Sequence, residues 1–136
     1  MSLDNKKITG RFLKEVVNEG RLETIDELVS ENYVYHGTNG TTIEGREGLK
    51  AMFIELRNGF PDLTIHPHFL IAENDKIGVQ FSLTGTHKGT LHGIPATHKI
   101  INIEGMVMSH IKDGIIQEDW EMYDSMLLFS QLGIGA

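Results

Sequence analysis

Ile101-Asn102-Ile103-Glu104-Gly105-Met106-Val107-Met108-Ser109-His110-Ile111 is followed by Lys112-Asp113-Gly114 and then by Ile115-Ile116-Gln117-Glu118-Asp119-Trp120-Glu121-Met122-Tyr123. Ile101, Ile103, Val107 and Ile111 fall on one alternating set of the first run, which is the period of a β-strand. Lys112-Asp113-Gly114 is a turn signal, its glycine suited to a left-handed position. The two runs therefore read as an antiparallel hairpin. A three-residue loop keeps odd positions opposite odd positions. It predicts Ile111 opposite Ile115, Val107 opposite Asp119 and Gly105 opposite Glu121. The interior face of the last strand is then Ile115, Gln117, Asp119, Glu121 and Tyr123. A two-residue turn would exchange the faces, leaving Asp119 and Glu121 as surface acids and turning Trp120, Met122, Met106 and Met108 inward.

Working back from the hairpin, the same period marks two more strands. Leu63, Ile65, Phe69 and Ile71 alternate with Thr64, His66, His68 and Ala72, and after the Asn74-Asp75 turn Ile77, Val79, Phe81 and Leu83 alternate with Gly78, Gln80, Ser82 and Thr84. Earlier still the period lengthens to that of a helix. Ile8, Phe12 and Val16 predict a first helix ended by Gly20, and Leu22, Ile25, Leu28 and Val29 a second. Tyr33-Val34-Tyr35 is a short strand. Leu49, Met52, Phe53 and Leu56 mark a third helix that stops before Phe60-Pro61-Asp62. A short apolar helix from Ser125 to Leu132 closes the chain, with Asp124 as its N-cap and Gly133 as its stop. Helices followed by antiparallel hairpins predict an α+β fold. The expected form is a cone-shaped roll: a strongly curved, mostly antiparallel sheet over three helices from the N-terminal half, with one internal pocket. Residues 1–136 read as a single domain, a length that suits one core.

The bulk numbers narrow the function. The chain has 136 residues, 40% hydrophobic and 23% charged, as expected of a globular protein. Its net charge is −7 and no run of Lys and Arg stands out, which argues against a nucleic-acid surface. With no cysteine, disulfides, thiol nucleophiles and thiolate metal sites are excluded. No apolar run approaches the ~18 residues of a membrane span. Residues 1–7 lack the apolar core of a signal peptide, so the expected location is cytoplasmic. The glycine-rich stretch from Gly37 to Gly48 lacks the strand-to-helix phosphate motif and reads as turns.

If the odd face of the last strand is interior, Asp119 and Glu121 lie side by side in an apolar setting, ~6–7 Å apart. Two such carboxyls hinder each other's ionisation and one holds a proton easily. A carboxyl raised in this way serves as general base or acid near neutral pH. Glu121 is the lead candidate, and the predicted pairing with Gly105 leaves open space before it. Asp119 and His87 are the other candidate catalytic groups. His87 follows Gly85-Thr86 where a strand meets a loop, so it either faces the pocket mouth or makes a structural hydrogen bond. His36, Gly105, Val107, Tyr123, Phe81 and Phe53 are expected to contact the ligand. His66-Pro67-His68 has no evident third ligand for a metal. The even face carries Met106, Met108, Trp120 and Met122, an apolar stripe that predicts a homodimer through the outer sheet face.

Gly45-Arg46-Glu47-Gly48, Phe60-Pro61-Asp62-Leu63, Gly85-Thr86-His87-Lys88-Gly89, Gly93-Ile94-Pro95-Ala96-Thr97, Asp113-Gly114-Ile115-Ile116, Trp120-Glu121 and Gln131-Leu132-Gly133 together resemble the SnoaL-like polyketide cyclase family. That family has the nuclear transport factor 2-like (ketosteroid isomerase-like) fold. The resemblance spans nearly the whole chain. It implies a curved sheet over three helices, a dimer, and ring closure of a polyketide ester by intramolecular aldol condensation without metal or cofactor. The family's acid/base aspartate matches Glu121 here, one methylene longer. Its facing polar side chains, a glutamine and a histidine, match Gly105 and Val107. The expected ligand is a small apolar carbonyl compound, with no cofactor. The alternatives are a non-catalytic binding module and a dimerisation module of the same fold.

Overall fold

A computed structural model describes residues 2–134. Helix α1 (Ser2–Arg11) runs on as π-helical turns over Phe12–Asn18. Glu19 N–H reaches back five residues to the Lys14 carbonyl at 3.0 Å. Short α2 (Glu23–Leu28) leads into β1 (Val29–His36), then β2 (Thr42–Glu44) and α3 (Gly45–Gly59). Four long elements follow: β3 (Thr64–Glu73), β4 (Lys76–Thr86), β5 (Ile100–Lys112) and β6 (Ile115–Tyr123). Helix α4 (Ser125–Gln131) begins at Asp124, whose carboxylate accepts from Leu127 N–H at 2.9 Å. Gly133, at φ 77°, ends it.

The six strands form one unclosed, curved sheet in the order β2-β1-β6-β5-β4-β3. Only β1 and β6 run parallel; the other neighbours are antiparallel. The α+β architecture is the one expected. The core packs Leu13, Val16 and Val17 of the first helix and Leu49 and Phe53 of α3 against the inner sheet face. Side chains tie the layers at two places where backbone groups would otherwise be unpaired. Asn18 bonds both ways to the Ile65 backbone, at 2.7 and 3.1 Å. The Arg57 guanidinium donates to the carbonyls of Val17, Asn18 and Pro61, joining the end of α3 to the end of the first helix. Among the described residues no helix is long and apolar enough to cross a membrane.

The hairpin register differs from the expected one. The β5–β6 loop has two residues, Asp113 and Gly114, both left-handed at φ 53° and 79°. Two left-handed residues match the strand twist, so this solution displaces the three-residue loop. Alone it would turn Asp119 and Glu121 outward. The face exchange is undone within three residues: Ile111 pairs with Ile116, but His110 pairs with Glu118. Gln117 is the extra residue of a β-bulge, which shifts the strand's alternation by one. Ile116, not Ile115 or Gln117, is therefore buried on the inner face, followed by Asp119. Beyond the bulge Ser109 faces Asp119, Val107 faces Glu121 and Gly105 faces Tyr123. The acids were expected opposite residues two positions earlier in β5, Val107 and Gly105.

The β3–β4 hairpin repeats the device. Its loop is Asn74-Asp75, and a bulge at His68 breaks the register between Pro67 and Phe69. Ile65 is buried, while Phe69 and Ile71, expected inside, are exposed on the outer face. Leu70 and Ala72 pack against the core in their place. His66 and His68 bond across the strands to Thr84 and Ser82, at 3.0 and 2.7 Å.

Candidate active site

Between the inner sheet face and the helices lies a cavity of about 710 Å³. Phe12, Phe53, Met52, Leu83 and Ile103 contribute to its apolar wall, while Tyr33, Tyr35, Ser109, Asp119, Glu121 and Tyr123 make one polar patch. Two adjacent strands build that patch. β1 alternates Tyr33 and Tyr35 inward with Val34 and His36 outward, and β6 presents Asp119 and Glu121 beside them, with Tyr35 paired to Asp119 in the parallel ladder.

The two carboxylates have unlike surroundings. Asp119 is buried, and both its oxygens are taken: Tyr33 donates to Oδ2 at 2.6 Å and Ser109 to Oδ1. Glu121 is half-buried and accepts only one bond, from the Tyr35 hydroxyl to Oε1. Among the described residues nothing bonds Oε2. Burial pushes the Glu121 carboxyl up to about 7; the Tyr35 hydrogen bond opposes the rise and the nearby Asp119 adds to it. Burial also raises Asp119, against the hydrogen bonds from Ser109 and Tyr33. Tyr33, Tyr35 and Tyr123 are all raised, first by burial and then by the acids beside them, so they remain protonated donors. Tyr33 and Tyr35 spend their single O–H on the carboxylates. The Tyr123 hydroxyl has no partner among the described residues. Its backbone N–H bonds to Thr38 Oγ1 at 3.0 Å, which fixes the end of β6.

Of the residues expected at the site, Glu121, Asp119, Val107, Tyr123, Phe81 and Phe53 line the cavity. Gly105 does not. A Cβ there would lie 2.7 Å from Phe81 Cζ, so the expected open space is filled by an aromatic ring. His36 points to the outer face, since β1 alternation sends it there. It stacks on Trp120 with ring centroids 5.6 Å apart and bonds Glu118 at 2.5 Å. His87 is fully buried behind Phe60, 5.4 Å between centroids, and is not part of the cavity wall. Its Nδ1 accepts from Thr97 N–H at 3.2 Å, which ties down the loop after β4. The structural alternative weighed for His87 is the one found.

Tyr33, Tyr35 and Ser109 escaped the sequence reading. A signal was present: Tyr33 and Tyr35 share the two-residue spacing of Asp119 and Glu121. Nothing local to either stretch says that the two strands are neighbours.

An α+β roll with an apolar chamber ending in a carboxylate pair defines a class of small pocket proteins. Residues 7–132 match the SnoaL-like polyketide cyclase family, and the chain belongs to it. It is 25% identical over 126 residues to aklanonic acid methyl ester cyclase DauD from Streptomyces sp. (strain C5), covering 90% of this chain and 78% of that one. A Bacillus cereus ATCC 10987 structure assigned as a polyketide cyclase is 30% identical with a TM-score of 0.83, covering 98% of this chain and 83% of that one. A SnoaL-like structure from Jannaschia sp. CCS1 shares the fold at TM-score 0.91 and 20% identity, with 99% of this chain and 95% of that one covered.

Proposed function

We propose that this protein is a cofactor-independent acid/base enzyme that closes a ring in a neutral carbonyl compound by intramolecular aldol chemistry. The observation that carries this reading is Glu121 Oε2, unbonded among the described residues, beside Asp119, whose two oxygens are both taken. A carboxyl with a pKa near 7 is half-ionised at neutral pH, where general acid–base catalysis is most effective. Glu121 takes a proton from the carbon next to a carbonyl, giving an enolate. The enolate carbon attacks a second carbonyl of the same molecule, forming a C–C bond and an alkoxide. The protonated Glu121 then returns its proton to that alkoxide, and the carboxylate is restored. Tyr123, with its unspent O–H at the same patch, donates to the developing negative oxygen.

Charge supports the substrate class. Among the described residues the cavity lining includes no lysine or arginine. A carboxylate ligand would meet Glu55, Asp119 and Glu121 with no lysine or arginine to balance them, so an ester or ketone fits better than a free acid. The curated relative that acts on aklanonic acid methyl ester supplies a test compound. Cyclisation of that ester by the wild type, with at least a hundredfold loss in Glu121→Gln and unchanged ester binding, is the expected result. Equal turnover by the two proteins, or no turnover by either, would overturn the reading. The second outcome would favour the binding-module alternative.

The reading extends to the outer sheet face. Phe69, Ile71, Met106, Met108, Trp120 and Met122 are all exposed there. A continuous apolar surface of this kind is suited to burial against a second copy, which gives a homodimer with the cavities on its far sides.

A further inference from the structure

The tyrosine that touches the base has a seat shaped for it. Tyr35 is buried on β1, and its hydroxyl donates to Glu121 Oε1. Two residues on, Gly37 has φ −101°, a conformation any residue adopts. Its lack of a side chain serves the ring instead. A Cβ at Gly37 would lie 2.9 Å from Tyr35 Cε1 and 3.1 Å from its hydroxyl. The ring thus lies against a position kept empty by glycine.

The neighbouring pair shows what Tyr35 does not do. Tyr33 bonds Asp119 in the same manner, but the β5 residue opposite Asp119 is Ser109, which occupies the second oxygen. The β5 residue opposite Glu121 is Val107, which has no polar atom to offer. Two tyrosine–carboxylate pairs of the same design therefore differ by one cross-strand residue. One pair is closed, and the other keeps an oxygen open to the cavity.

Resting on the reading of Glu121 as the base, we infer that Tyr35 is a positioning residue that makes Glu121 a single-atom proton shuttle. Oε1 stays bound to the Tyr35 hydroxyl throughout. Oε2 alone takes the proton from carbon and delivers it to the alkoxide, so the carboxyl need not rotate between the two transfers. Tyr35 keeps its own proton in both steps, in line with the upward shift of its phenol by burial.

The test reads the titration of Glu121 directly by NMR of protein labelled with ¹³C at glutamate side chains, with no substrate present. Tyr35→Phe should raise the Glu121 midpoint by about one to two pH units, the worth of a hydrogen bond to an ionised group. Tyr33→Phe should act with the opposite sign. It makes Asp119 harder to ionise, and so leaves Glu121 at or below its wild-type midpoint. If Tyr35→Phe does not fold, 3-fluorotyrosine at position 35 replaces one ring hydrogen and strengthens the donor. The Glu121 midpoint should then fall. An unmoved midpoint in the folded Tyr35 variant would overturn the inference. The base assignment is judged separately by turnover of Glu121→Gln, so either claim can fail without the other.

Discussion

The burial of Glu121 ties the stability of the fold to pH. Its carboxyl titrates at about 7 in the folded chain against an ordinary value of 4.5, because burial disfavours the charged form. Asp119 moves in the same direction. Between about pH 4.5 and 7 the native state therefore binds more protons than the unfolded one. Stability from this source is complete below the unfolded value and is lost as pH rises through the folded one. Urea unfolding at pH 5 and pH 8 should show the wild type losing on the order of 3 kcal/mol across that interval. Glu121→Gln keeps an acceptor for Tyr35 without a charge to bury, and should be the more stable protein at pH 8. A wild-type profile flat in this window would mean that Glu121 titrates as a solvated acid.

Among the elements, β5 carries the tightest packing constraint near the site. A Cβ at Gly105 would meet Phe81 Cζ at 2.7 Å and the Met122 carbonyl oxygen at 2.8 Å. The backbone oxygen cannot swing away, so Gly105→Ala should cost about 1–3 kcal/mol. Gly78 on β4 is the control, since a Cβ there meets nothing nearer than 3.9 Å. Gly78→Ala should stay within about 0.5 kcal/mol of wild type in chain folding, because the added methyl meets the Met108 side chain and the Ile71 carbonyl oxygen only at ordinary contact distance. Chemical denaturation of the two variants decides the point, and equal losses would refute it. The strands themselves were legible because period-two patterning survives in sequence, and Asp119 and Glu121 emerged from that pattern. The bulges at His68 and Gln117 were not legible. Each adds one residue whose only signature is a change of phase between two good stretches, and a turn one residue shorter mimics it. At β6 the shorter turn and the bulge cancel, so the acids face inward although their expected partners were wrong. At β3 the bulge stands unanticipated, and Phe69 and Ile71 change sides.

At the scale of the molecule, the outer sheet face leaves large apolar side chains exposed. Met122 is 76% exposed and Trp120 40% exposed in a single chain. Around them His36 bonds Glu118 at 2.5 Å and His110 bonds Asp75 at 2.8 Å, a polar margin for an apolar centre. Sedimentation should give a dimer for the wild type and a monomer for Met122→Glu, with the fold kept. A wild-type protein that sediments as one chain at micromolar concentration would remove the dimer from the proposal.

The parallel seam between β1 and β6 has one more consequence. Each tyrosine–carboxylate pair joins positions 86 residues apart. No local segment, and no fragment lacking either end, holds both halves of the polar patch. Closing so long a loop is entropically late work for a chain, so the patch is complete only once the first and last strands have met. A half-made copy emerging from the ribosome has a greasy hollow in prospect but no carboxylate seated in it.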